Sequence, residues 1–170
     1  MDVYSVSKFS HSLTSLFAVD FSVSPDRYDT LPPNMSVYFD SNGATIHKMD
    51  SRVGFYLPLK KEINASNSNY LTLQIKYDVE DLELEIVCYY DVNRDGKWSG
   101  YEIDYVKSLT FNQNNLGWTA DEWHNIYLVI PQADDPIVQI GIILMGNKNG
   151  TITLRNLAVY TEITSENSIN

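Results

Sequence analysis

Apolar and polar residues alternate one by one through several segments of this 170-residue chain. In residues 70–78, Leu71, Leu73 and Ile75 alternate with polar neighbours, and residues 82–90 repeat the pattern. Successive side chains of a strand point to opposite faces, so a period of two is typical of a half-buried β-strand. Because no long segment shows a convincing helical period, the pattern predicts an all-β chain.

Turn signals separate about nine short strands of this kind. Asn42-Gly43 is the strongest short hairpin signal. Within residues 151–160 the inward-facing positions switch, which predicts a β-bulge near Arg155 and Asn156. Together these features predict an antiparallel β-sandwich.

Residues 91–102 match the calcium-loop pattern D-x-[DN]-x-[DN]-G-x5-E at every specified position. Calcium is a hard cation that takes about six to eight oxygen ligands, so this spacing of carboxylates and amides predicts a Ca²⁺ site. Lys97 would contribute its backbone carbonyl. The predicted ligands are Asp91, Asn93, Asp95, Lys97, Ser99 and Glu102.

The segments on either side of this loop distinguish it from an EF-hand. An EF-hand has a helix before the loop, whereas residues 82–90 have period two. Residues 101–111 also fit period two, although Ile103, Val106 and Leu109 allow a short helix. We therefore favour strand-loop-strand. Sensors need paired helices that move, so we expect a structural site. One ligand position is a neutral amide and two basic side chains offset the carboxylates, so we expect a Kd on the order of 10⁻⁴ to 10⁻³ M.

The net charge of the chain argues against some classes of binding partner. The chain has 22 acidic and 12 basic residues and a net charge of -10, which argues against nucleic acid and anionic membranes as partners. Cys88 is the only cysteine, so no internal disulfide can form, and its place in an alternating run predicts burial. No apolar run is long enough to insert directly into a membrane.

The N-terminus has no signal-peptide pattern. The sequons at Asn34, Asn64 and Asn149 and the weak calcium site nevertheless favour an extracellular or extracytoplasmic location. We therefore expect a domain of a longer protein. We divide the chain into an arm (1–14), a single sandwich domain (15–163) and a polar tail (164–170).

Aromatic residues suggest a glycan as a partner. The chain has 12 Tyr and 3 Trp, and aromatic rings offer sugars a flat apolar surface. Trp118 is the first candidate because its predicted loop also contains amides and carboxylates, and Tyr56 and Tyr70 are weaker candidates. Trp98 stands at position eight of the calcium loop, where an apolar residue anchors the loop by packing.

The C-terminal half resembles a known family. Residues 123–131 form a tryptophan-led strand that ends in proline, residues 139–144 are apolar, and residues 150–160 contain Asn156 before an apolar pair. In these features the chain resembles the jelly-roll carbohydrate-binding modules, which are galactose-binding-like β-sandwiches. The resemblance implies the sandwich fold and a glycan ligand. It also implies attachment to a glycan-processing protein.

Three function classes stay open at this point. We favour a non-catalytic binding or accessory domain. A structural or adhesion domain stapled by calcium is the alternative, and it would lack an exposed aromatic platform. A glycan-active enzyme ranks last, because the sequence has no G-x-S-x-G elbow, Gly-rich phosphate loop or H-E-x-x-H motif, and no motif places a pair of carboxylates.

Overall fold

The computed structural model describes residues 11–33 and 35–164, and these residues form a two-sheet antiparallel β-sandwich. The predicted fold is therefore confirmed. Within the described residues, one helical turn, α1, lies at Gln113–Leu116. The strands are β1 His11–Val19, β2 Asp29–Leu31, β3 Val37–Asp40, β4 Gly43–Lys48, β5 Arg52–Ile63, β6 Asn69–Tyr77, β7 Glu83–Tyr90, β8 Tyr105–Asn112, β9 His124–Val129, β10 Ile137–Met145 and β11 Gly150–Thr164.

The two sheets differ in order and size. One has the order β3-β4-β11-β6-β9, with β1 paired to β11 as its sixth strand. The other has the order β2-β5-β10-β7-β8. The last strand segments of the chain, β10 and β11, therefore lie inside the sheets, between strands that come much earlier in the sequence.

The core lies between the sheets and is built by the alternating residues. Leu73 and Ile75 of β6 and Ile86 of β7 are all buried in it. Cys88 is also buried, as predicted, and burial raises the pKa of its thiol to about 12. Because the thiolate is the reactive form, this cysteine packs as an apolar side chain and is chemically inert.

Two local features follow the predictions closely. The β3–β4 hairpin forms, but Asp40 pairs with Gly43, so the turn lies one residue earlier than Asn42-Gly43. Gly43 has a φ of 124°, and a Cβ there would collide with the carbonyl oxygen of Leu154. The bulge is confirmed: the β11–β6 register shifts after Arg155, and Asn156 has a φ of 54°.

Both ends of the chain bear on the predicted arm and tail. The strand β1 begins at His11, inside the predicted arm, and pairs antiparallel with β11 from Thr164 onward. Residues 1–10 and 165–170, and the sequon residue Asn34, lie outside the described residues. Among the described residues, no helix has the length and apolar character needed to cross a bilayer.

A buried lysine closes one corner of the sandwich. Lys48, at the end of β4, is 0% exposed, and its Nζ donates to the backbone oxygens of Gly146 and Lys148 at 2.6 and 2.8 Å. Burial lowers the pKa of this ammonium group, whereas the nearby Asp50 and Asp81 raise it. Lys48 therefore satisfies two carbonyls of the β10–β11 connection that lack a strand partner.

Replacing Lys48 by methionine is expected to lower the free energy of unfolding by about 1–3 kcal/mol. Methionine fills the space but leaves two carbonyls in a part-buried setting without their donor, at a cost of about that size. Urea denaturation followed by circular dichroism measures the change. The exposed Lys61 provides the control, because Lys61→Met removes a lysine from solvent. Equal stability of the two variants would contradict the assigned role of Lys48.

Candidate functional site

The outer face of the five-stranded sheet, which points away from the core, carries its own apolar cluster. Val87 and Tyr89 of β7 and Ile143 of β10 are its buried members, and Tyr56 and Trp98 pack against them. A face that points to solvent usually carries polar residues. An apolar cluster here therefore marks this face as a candidate binding surface.

Four aromatic rings on this face, Tyr56, Tyr89, Trp98 and Tyr101, follow one another, and we call them the aromatic row. The Tyr56 and Tyr89 centroids are 6.1 Å apart, with the ring planes at 79°. Tyr89 and Trp98 are 4.8 Å apart at 77°, and Trp98 and Tyr101 are 5.1 Å apart at 82°. Each pair is therefore edge-to-face, a favoured geometry that stabilises the row.

A glycine in β10 makes room for the row. Gly141 pairs with Tyr56 on one side and with Val87 on the other. A Cβ at Gly141 would lie 3.0 Å from the Tyr56 ring and 3.1 Å from the Tyr89 ring. Gly54, in β5, is likewise covered by the Tyr56 ring. The rings of Tyr56 and Tyr89 can therefore pack directly against the sheet, because the glycines beneath them have no side chains.

The four rings differ in exposure. Tyr101 is 74% exposed, Trp98 and Tyr56 are half-buried, and Tyr89 is 5% exposed. Tyr89 thus supports the row, while the other three rings are open to a ligand. Burial raises the pKa of Tyr56 and of Tyr89, and Arg52 acts in the opposite direction on both. At neutral pH both phenols keep their protons and can donate hydrogen bonds.

Trp98 and Tyr101 come from the loop that matches the calcium pattern. The loop begins directly after β7 ends at Tyr90, and β8 begins at Tyr105, so the strand-loop-strand prediction is confirmed. Asp91 is 0% exposed, and its carboxylate accepts hydrogen bonds from the backbone of Gly96 at 2.7 Å and of Asp95 at 3.3 Å. The first half of the loop therefore closes around the Asp91 carboxylate.

The structure brings several predicted ligands together in this closed turn. The Asp95 carboxylate accepts hydrogen bonds from Ser99 Oγ at 2.8 Å, from the Lys97 backbone at 3.1 Å and from Asn93 Nδ2 at 3.3 Å. The hydrogen bond from Ser99 is the main reason that the pKa of Asp95 is lowered. Glu102 lies apart from this group, exposed in the turn that precedes β8.

Asp104 closes the loop and was missed by the sequence pattern, which ends two residues earlier. It is 4% exposed, and its two carboxylate oxygens accept the backbone N–H groups of Val92 at 2.9 Å and Ser99 at 2.7 Å. Asp104 thus joins the start of the loop to the residue next to Trp98. The available signal was an acidic residue just before a strand, but this signal does not indicate which backbone groups the carboxylate binds.

Carboxylates of this loop and Asp104 are the groups available to a cation. Among the described residues, no three His, Cys, Asp or Glu side chains converge in an arrangement that could hold a metal ion. Asp91, Asn93 and Asp95 nonetheless lie on one turn. Their side-chain oxygens now accept hydrogen bonds from N–H and O–H groups, and calcium could take the place of those donors. The donor set, carboxylate and amide oxygen, suits calcium.

The three sequence-based glycan candidates lie in different places. Tyr56 belongs to the aromatic row. Trp118 lies in the connection between the two sheets, where its ring stacks on His124 at 5.0 Å and packs against the core. Tyr70 lies on the outer face of the six-stranded sheet, 6.0 Å from Tyr127. The three residues therefore do not form one site.

Sequence reasoning missed Tyr89 and Tyr101 as members of a site, and it assigned Trp98 to packing alone. Tyr89 had a usable signal, because it occupies an outward position of β7 in line with Glu83 and Glu85. Tyr101 had none, since its position in the row depends on how the loop folds back over β7.

Comparison with known proteins supports the fold. No protein-family model matches the sequence, and no curated protein matches it. Among solved structures, the chain is similar to the xylan-binding module CBM15, with 17% identity, a TM-score of 0.55, and coverage of 89% of this chain and 97% of that one.

Two further solved structures share the fold. A mutant of CBM29-2 complexed with cellulohexaose has 15% identity and a TM-score of 0.58, over 94% of this chain and 96% of that one. The other structure holds the CBM22-1 and GH10 modules of Clostridium thermocellum endo-1,4-beta-D-xylanase 10B, complexed with xylohexaose. Its identity is 11% and its TM-score is 0.62, and the match covers 86% of this chain and 28% of that one. The β-sandwich of carbohydrate-binding modules is therefore the fold of this chain.

Proposed function

We propose that this chain is a non-catalytic carbohydrate-binding or accessory domain of a larger extracytoplasmic or glycan-processing protein, and that the aromatic row contacts the glycan. The observation that carries the proposal is the exposure of three rings, Tyr56, Trp98 and Tyr101, along one sheet face. Sugars present flat patches of C–H groups, and aromatic rings cover such patches at little conformational cost.

Polar groups border the row and complement the hydroxyls of a sugar. Arg52 stands four residues before Tyr56 in β5, and Glu85 stands four residues before Tyr89 in β7, so both point to the face that carries the row. The guanidinium of Arg52 supplies donors and the carboxylate of Glu85 supplies acceptors. Together with the neutral phenols, these side chains offer both donors and acceptors, which a sugar hydroxyl needs because it accepts and donates hydrogen bonds.

The exposed row also separates the competing function classes. A purely structural or adhesion domain has no need of three partly exposed rings on one face, so this class ranks second. An enzyme ranks third, because no motif in the sequence places a pair of catalytic carboxylates. The neighbouring folds include both free modules and a module joined to a catalytic one.

The loop of residues 91–102 is proposed to bind calcium through Asp91, Asn93, Asp95, Ser99 and Glu102, with the Lys97 carbonyl. The buried Asp91 carboxylate and its hydrogen bond from Gly96 support this assignment. Glu102 would have to turn inward from its exposed position. A Kd on the order of 10⁻⁴ to 10⁻³ M suits the calcium concentrations outside cells.

The wild-type protein is expected to bind at least one neutral plant or algal polysaccharide. Affinity electrophoresis in gels containing cellulose derivative, xylan, mixed-linked β-glucan or agarose tests this expectation, since binding retards migration. Tryptophan fluorescence with the matching oligosaccharide provides a second readout. Unretarded migration in all four gels, with unchanged fluorescence, would favour the structural-domain alternative.

A further inference from the structure

The outer face of the six-stranded sheet lies on the opposite side of the sandwich from the aromatic row. Along β9 its outward positions hold Asn125 and Tyr127, and Trp123 precedes the strand with the same orientation. Tyr127 is 62% exposed. We call the surface made by Trp123, Asn125, Tyr127, Gln74, Arg155 and Asn156 the amide face.

A hydrogen-bond network fixes the polar side chains of the amide face. Gln74 Oε1 accepts from Arg155 Nε at 2.8 Å and from Asn156 Nδ2 at 2.7 Å. Gln74 Nε2 donates to Asn125 Oδ1 at 2.8 Å. The β11 bulge brings two consecutive side chains, Arg155 and Asn156, to the same acceptor, which a regular strand would not allow.

Aromatic rings stand on both sides of this network. The Arg155 guanidinium carbon lies 3.7 Å from the centroid of the Trp123 ring. At the other side the Tyr70 and Tyr127 rings are 6.0 Å apart and within 28° of parallel. Tyr70 Oη donates to Glu162 Oε2 at 2.9 Å, which holds its ring in place. Trp123 and Tyr127 are roughly 13 Å apart along the strand direction.

Two shallow hollows flank the network. One, of about 300 Å³, is lined by Gln74, Asn125, Tyr127 and Asn156 among others. The other, of about 310 Å³, includes Trp123 in its lining. The first lining carries amides, hydroxyls and a ring, and the second adds the charged side chains Lys76, Asp78 and Asp121 to hydroxyls, an amide and rings. The network leaves most guanidinium and amide N–H groups of these side chains available, because Gln74 engages one nitrogen of Arg155 and one of Asn156.

We propose that the amide face is a second glycan-binding surface, which takes a neutral, linear oligosaccharide. Amides both donate and accept, as sugar hydroxyls do, and they are already held in position, so little side-chain entropy is lost on binding. The aromatic rings on either side give the sugar rings apolar contacts. The net charge of -10 disfavours an anionic ligand, so a neutral one is favoured.

Two binding faces on opposite sides of a sandwich cannot contact one short glycan segment, since the packed sheets are themselves about 10 Å apart. The domain would therefore hold two glycan chains, or two segments of one long chain. On an insoluble polysaccharide this arrangement raises the effective concentration of the second contact. The amide face does not require the aromatic row, so the two proposals can fail independently.

The test uses ¹⁵N-labelled Trp98→Ala protein, in which the aromatic row is impaired, and adds cellohexaose or xylohexaose at millimolar concentration. The expected result is a saturable shift of the side-chain amide signals of Gln74, Asn125 and Asn156 with at least one of the two sugars. Adding Tyr127→Ala is expected to weaken this binding roughly tenfold, because it removes the most exposed ring.

Tyr38→Ala provides the matched control. Tyr38 is a similarly exposed tyrosine, 58% exposed, on β3 at the opposite edge of the same sheet. Amide shifts that are absent with both sugars, or that are unaffected by Tyr127→Ala, would overturn the proposal. Shifts that follow protein concentration without sugar would overturn it in favour of self-association. Failure of the aromatic row is read separately, from an unshifted Trp98 indole signal in the wild-type protein.

Discussion

Replacing Trp98 by alanine is expected to weaken binding of the glycan that the wild-type protein binds. The expected loss is roughly 30-fold or more, which corresponds to about 2 kcal/mol. Trp98 is the central accessible ring of the aromatic row, and it contacts both Tyr89 and Tyr101. Its removal therefore takes away one sugar contact and releases the ring on either side. Isothermal titration calorimetry measures the loss, and circular dichroism confirms the fold.

The control for this prediction is Trp118→Phe. It removes an indole from the connection between the sheets and keeps an aromatic ring against His124 and the core. Glycan affinity is expected to stay within about twofold of wild type, a change below 0.5 kcal/mol. The reverse outcome, in which Trp118→Phe loses binding and Trp98→Ala does not, would move the site to the sequence-based candidate Trp118.

Adding calcium is expected to raise the thermal midpoint of unfolding, and EDTA is expected to lower it. A ligand that binds only the native state stabilises it by about 2.7 kcal/mol at a concentration 100 times its Kd. For a chain of this size that corresponds to roughly 5–10 °C. Differential scanning fluorimetry with calcium and with EDTA measures the shift, and elemental analysis of protein dialysed against calcium measures the bound metal.

A charge-matched pair of variants assigns this effect to the loop. Asp95→Asn removes one proposed ligand charge, and Asp29→Asn removes an exposed charge from β2. The calcium-induced shift is expected to shrink in the first variant and to persist in the second. No shift with EDTA, together with no bound metal, would refute the calcium proposal and leave the glycan proposal standing.

Calcium and glycan binding are also expected to be coupled. Trp98 and Tyr101 occupy positions eight and eleven of the loop, so a cation that orders the loop also orders two rings of the row. Glycan affinity is therefore expected to be higher in calcium than in EDTA, and linkage requires that the glycan raise calcium affinity by the same factor. Calorimetric titration of each ligand in the presence of the other measures both factors. Equal affinities in calcium and EDTA would make the loop a structural staple without influence on the row.

Local patterns in the sequence predicted about nine strands, a hairpin and a bulge, whereas the described residues form eleven strands. The period of two in β6 and β7, the β3–β4 hairpin and the bulge at Asn156 are all confirmed. Each of these features depends on the conformational preferences of a few residues that are adjacent in the sequence, so a local pattern is enough to predict it. The calcium pattern is likewise local, and the same limits apply: it predicts donors at set spacings and cannot predict that Asp104 closes the loop.

The candidate site was decided by the tertiary structure. Tyr56 and Tyr89 belong to β5 and β7, and they meet only because β10, from much later in the chain, pairs between these strands and places Gly141 beneath both rings. Trp98 joins them because the loop folds back over the sheet. Strand order depends on long-range pairing, which local periodicity does not encode. The sequence alone therefore determined an all-β chain with a loop that matches the calcium pattern, and the sheet order made that loop part of a candidate binding face.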